Sequence, residues 1–180
     1  QNALGSLQVN SGVVSTLGLQ ATGHLVAAQG GAIDIQGGTL VLGDSERATS
    51  VDARAGRHLG PARSLHADTL DNRGVTSLLS LQGASTVGTL DNRSGATFNA
   101  LGATQVAGTF SNEAGATVNQ LDTVSAAAVS QQGQWAVSGE RTQATRSLTG
   151  QGTLSVAGAQ DPPTLDLSGD STYAGAFTGE

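Results

Sequence analysis

Thr69-Leu70-Asp71-Asn72-Arg73-Gly74 is answered twenty residues later by Thr89-Leu90-Asp91-Asn92-Arg93-Ser94-Gly95, and after another twenty by Thr109-Phe110-Ser111-Asn112-Glu113-Ala114-Gly115. The phrase fades through Val129-Ser130-Gln131-Gln132-Gly133 and Leu148-Thr149-Gly150-Gln151-Gly152. Apolar residues thus recur at 70, 90, 110, 129 and 148, spaced by 20, 20, 19 and 19. A second column is expected at Leu79, Phe98, Val118, Val137 and Leu154, and a third through Val87, Val106 and Val124. A fixed period of this length marks a solenoid.

Within a unit, Leu70 and Asn72 alternate with Asp71 and Arg73, which is the two-residue period of a strand. No unit offers apolar residues three and four apart over a helix length. A coil of about 20 residues with two or three short strands and Gly-containing corners can return to its start and stack on the next coil at about 4.8 Å. The pattern therefore predicts an all-β fold, a parallel β-helix of about 20 residues per rung. Asn72, Asn92 and Asn112, followed by Gln132, are expected to point inward and form an amide ladder along the stack. Upstream, Leu7-Gln8-Val9, Ile33-Asp34-Ile35 and Leu40-Val41-Leu42 have the same rung-like texture.

Composition agrees. Aromatics are 3% of the chain and Met is absent, so the interior must be narrow and filled by Leu, Val, Ile and Ala. Gly occurs 26 times, about twice the usual share of roughly 7%. A net charge of −6 lacks the basic stripe of a nucleic-acid binder. Without Cys, neither a disulfide framework nor a thiolate metal site is available. No apolar run approaches the length of a membrane-spanning helix. Gln1 and Glu180 both open onto repeat-like phrases, so the chain reads as part of a longer protein.

The Leu-Asp-Asn-Arg phrases at 70–73 and 90–93 resemble the repeats of filamentous-haemagglutinin-like exoproteins. The stretch Leu165-Asp166-Leu167-Ser168-Gly169-Asp170-Ser171-Thr172-Tyr173-Ala174-Gly175 resembles the passenger-associated repeat of autotransporters, with Ser171 where that repeat commonly has Asn. Both belong to the type V secreted proteins of Gram-negative bacteria. The resemblance implies a right-handed parallel β-helix, exported through an outer-membrane translocator barrel and displayed at the cell surface or released. It also implies an adhesive or host-interacting role in virulence. On this reading 1–180 is one segment of a passenger: upstream rungs over 1–45, a loop excursion over 46–66, regular repeats over 67–160 and a passenger-associated repeat over 161–180.

The expected chemistry is that of contact. Asp71 and Asp91 on one outward face have the look of a paired-carboxylate site, which a glycosidase would need. Arg73 and Arg93 two residues on make an outward Asp/Arg lattice the simpler account. Gly-Asp-Ser at 43–45 and 169–171 has no His/Asp partner set around it, and His24, His58 and His66 lack metal-ligand spacing. No catalytic, cofactor or metal residues are therefore assigned. The segment from Glu46 to His66 carries Arg47, Arg54, Arg57 and Arg63, half of all positive charge. Arg54, Arg57, His58 and Arg63 are the candidate partner-binding loop, with a host surface or matrix protein, an anionic glycan or a second copy as partner. Two other classes are weighed: a carbohydrate-active β-helix lyase or glycosidase, and an ice-binding solenoid. The latter would need paired Thr-x-Thr columns, whereas Asp71, Asp91 or Ser111 follows each repeat Thr by two.

Overall fold

The computed structural model describes residues 6–9, 13–15, 32–35, 39–41, 45–53, 57–59, 64–73, 78–138, 142–157 and 163–179, with side chains described from Ala67 onward. Among them lie nineteen strands and no helix. One sheet takes, in spatial order, β1 (Ser6–Val9), β3 (Ala32–Ile35), β5 (Ser45–Ala53), β7 (Ser64–Asn72), β9 (Ala84–Asn92), β11 (Thr104–Asn112), β13 (Val124–Gln131), β15 (Thr142–Gly150) and β17 (Thr164–Leu167). β18 (Thr172–Tyr173) also pairs with β15. The second sheet takes β2 (Val13–Ser15), β4 (Thr39–Val41), β6 (Arg57–Leu59), β8 (Leu78–Leu81), β10 (Thr97–Ala100), β12 (Thr117–Gln120), β14 (Gln134–Ser138), β16 (Thr153–Ala157) and β19 (Ala176–Gly179). From β1 to β17 the strands alternate between sheets along the chain, and they pair in parallel with neighbouring turns. This is the parallel β-solenoid that the repeat predicts.

The register confirms the first column. Leu70 pairs with Leu90, Leu90 with Phe110, Phe110 with Val129 and Val129 with Leu148, at steps of 20, 20, 19 and 19. All five side chains are buried. Alternation supplies the reason: Leu90 and Asn92 on β9, and Phe110 and Asn112 on β11, enter the interior while Asp91 and Ser111 between them stay partly exposed. As the composition requires, that interior is mostly Leu, Val and Ala. Phe98, Phe110 and Trp135, from three successive turns, pack together within it, with ring centroids 5.6 Å (Phe98–Phe110) and 4.6 Å (Phe110–Trp135) apart.

The other two expected columns need correction. Val118 pairs with Trp135, not Val137, so the second column runs Leu79, Phe98, Val118, Trp135, Leu154. Val137 instead continues Leu81, Ala100 and Gln120. Corner length is the cause. Four residues, 93–96 and 113–116, join the first sheet to the second in two successive turns, but only two, 132–133 and 151–152, do so afterwards. In the third column Val106 pairs with Ala126, and Val124 faces Thr104. β11 carries one residue more than its neighbours between Val106 and Phe110, where the register shifts.

The expected loop excursion over 46–66 is also corrected: β5, β6 and β7 run through it. Val51, Asp52 and Ala53 pair with Leu70, Asp71 and Asn72, so the solenoid continues across the basic segment. Within that span, 54–56 and 60–63 lie outside the described residues.

Candidate functional site

The amide column is built as the spacing predicts for three of its four members. Asn72 Nδ2 donates to Asn92 Oδ1 at 2.7 Å, and Asn92 Nδ2 to Asn112 Oδ1 at 2.9 Å. Each amide also donates across the corner to the next turn of the second sheet, to the Thr97 carbonyl at 2.9 Å and the Thr117 carbonyl at 2.8 Å. All three Asn side chains are fully buried. The fourth rung is Gln131: its Oε1 accepts from Asn112 Nδ2 at 2.8 Å, and its Nε2 donates to the carbonyls of Gly133 and Thr153. Gln132, the expected fourth member, is exposed. The step from Asn112 is 19 residues rather than 20, so the pairing falls one position earlier. This column ties the two sheets together and presents nothing to solvent.

Outside the ladder lies the charged face. Asp34, Asp52, Asp71 and Asp91 occupy one register column on four successive strands, a row twice as long as the sequence reading assigned. The missed signal is Val51-Asp52-Ala53-Arg54, a copy of Leu70-Asp71-Asn72-Arg73 that has lost its Asn. Arg93 gathers the described part of this face. Its Nε donates to Asp71 Oδ1 at 2.7 Å, and its terminal nitrogens lie 3.8 Å from Asp91 and 3.6 Å from Glu113. Arg73 lies 3.8 Å from Asp71. Partial burial pushes the Asp91 carboxyl above the usual carboxylate value, opposed by Arg93 and assisted by the negative charges of Asp71 and Glu113. The Asp71 hydrogen bond holds the Arg93 guanidinium above its ordinary value. The expected outward Asp/Arg lattice is present, and it spans three turns.

Two residues of the expected basic loop fall on a strand instead. Arg57 and His58 sit on β6, where His58 shares a register column with Leu40 and Leu79. Arg54 and Arg63 lie outside the described residues. Among the described residues no cluster of His, Asp and Glu has the arrangement of a metal site.

One concave stretch of surface lies where the four-residue corners end. There, a furrow of about 340 Å³ is lined by residues 115–117, 132–134 and 151–153 of three successive turns. Gly133 makes the step possible. It tucks against the carbonyls of Glu113 and Ala116 and against the Asn112 amide, where a Cβ has no room. Nothing in the repeat phrase signals the furrow, because it arises from two residues missing at a corner.

No family model, curated protein or solved structure matches this chain.

Proposed function

We propose that this chain is a structural and adhesive β-helix segment of a bacterial cell-surface protein of the autotransporter type, one that contacts a host surface or spaces other domains away from the cell. The supporting observation is where its buried chemistry resides. The amide ladder and the Leu, Val and Phe columns occupy the interior, and the outward polar residues are spread along faces that repeat from turn to turn. Surfaces of this kind suit many weak polar contacts with a large partner. The Asp71–Arg93–Glu113 lattice and the corner furrow are the parts of the described surface with distinctive chemistry. Export through an outer-membrane barrel, and virulence, belong to the same proposal and rest on the sequence resemblance.

The test uses the 180-residue chain itself. Adhesion to cultured cells or to matrix-coated surfaces, with no turnover of a polysaccharide panel, supports the reading. Cleavage of any polysaccharide would instead favour the lyase or glycosidase class, and a failure to bind any of these surfaces removes the adhesive role.

A further inference from the structure

We propose that the corner furrow is a binding site for an uncharged glycan. The proposal deepens the adhesive reading above by naming the chemistry of one partner. Three features of the furrow converge on that class.

The first is charge. The lining residues, Gly115, Ala116, Thr117 and their counterparts on the next two turns, include no acid and no base. The adjoining strands β10, β12, β14 and β16 carry none either. The charged residue of the adjoining corner, Glu113, is an acid paired with Arg93, so the furrow itself offers an anionic sugar no countercharge.

The second is hydrogen-bonding type. Gln132, Gln134 and Gln151 present exposed primary amides, and Thr117 and Thr153 add hydroxyls. Each of these groups both donates and accepts, as every hydroxyl of a sugar does. A peptide adding itself as a strand would need a row of free backbone groups. Here the N–H groups of Gln132, Gly133, Gln134, Gln151, Gly152 and Thr153 already donate to carbonyls of the preceding turn. Side-chain recognition is what remains.

The third is spacing and size. Thr117, Gln134 and Thr153 stand in one register column, so successive partners lie about 4.8 Å apart, close to the advance of an extended glycan from ring to ring. The volume of about 340 Å³ falls at the lower end of the range of roughly 300–1,000 Å³ typical of small-ligand sites.

The test is an NMR titration of the 180-residue chain, following the side-chain amide signals of Gln132, Gln134 and Gln151. The probes are hexasaccharides of β-1,4-glucan and α-mannan, with a hexamer of polygalacturonate as the anionic arm. The expected result is perturbation of these signals by a neutral hexasaccharide. Affinity should fall by about tenfold or more in the Gln134→Ala/Gln151→Ala variant, whose unfolding midpoint should match wild type because both side chains are exposed. Unmoved amide signals with both neutral probes, a response to polygalacturonate alone, or undiminished affinity in the variant would each overturn the proposal. The adhesion assay keeps this separate from the broader reading: adhesion that persists unchanged in the double variant removes the glycan site and leaves the adhesive role standing.

Discussion

Trp135 donates its indole N–H to Gln120 Oε1 at 3.0 Å, a bond between neighbouring turns with both partners fully buried. The same indole packs on Phe110 and fills the column of Val118 and Leu154. One side chain therefore ties the second sheet to the first and to the turn before. Since the chain has a single Trp, its fluorescence reports this contact directly. Native emission is expected to be blue-shifted and to move to the red in one step with denaturant. Trp135→Phe should destabilise by about 2–3 kcal/mol, through lost volume and an acceptor left without its donor. A solvent-like native emission maximum would place Trp135 outside the core.

Asn92 accepts from Asn72 and donates to both Asn112 and the Thr117 carbonyl. Asn92→Leu leaves one Asn72 amide proton and two acceptors without this partner in a site closed to water. Urea unfolding should show a loss of about 2–4 kcal/mol. Gln132→Leu, one position beyond the true ladder, should change stability by less than about 0.5 kcal/mol. Equal effects of the two substitutions would contradict the register.

Gly150 holds the ladder position after Gln131, and its φ of 127° lies in a region that L side chains rarely adopt. A Cβ there would also overlap the backbone of Gln131. Gly150→Ala should lower stability by more than about 1 kcal/mol, although Ala elsewhere in a strand is tolerated better than Gly. A neutral or stabilising result would mean that the backbone at Gly150 is extended.

Asp91 has its folded pKa raised above the ordinary 3.8, burial being the largest cause. Between that value and the raised one, the folded chain holds a proton that the unfolded chain has released. The contribution of this group to stability therefore falls as pH rises through the window. Asp91→Asn should raise the unfolding midpoint at neutral pH, and the gain should vanish as pH drops below about 3.8. A midpoint lowered at neutral pH would show that attraction to Arg93 outweighs burial.

The repeat made the fold legible because leucine positions and Asn corners recur where a two-residue strand period requires them. The ladder could be read through Asn112 for the same reason. It was lost at Gln131 because a Gln-Gln pair offers two candidates, and the extra residue of β11, which shortens the step from Asn112 to 19, chooses between them. Arg54, Arg57, His58 and Arg63 suggested a loop because their charge masked a register carried by Val51 and Asp52. Counting by period also put Val137 beside Val118, since a shortened corner leaves no mark in residue type. Hydrophobic pattern thus fixes which residues face inward along a strand, while the length of chain between strands decides which turn they meet.

The extra residue that β11 holds between Val106 and Phe110 is taken up locally, and the pairs on either side of it stay matched. Such tolerance makes the turn a unit of inheritance. Duplication or loss of the DNA encoding one turn, with an error of a residue or so at the junction, would lengthen or shorten the rod by a single strand spacing. The seam would still close, because like columns meet again on both sides. A change of that kind would alter the length of the solenoid and leave the make-up of its interior as it was.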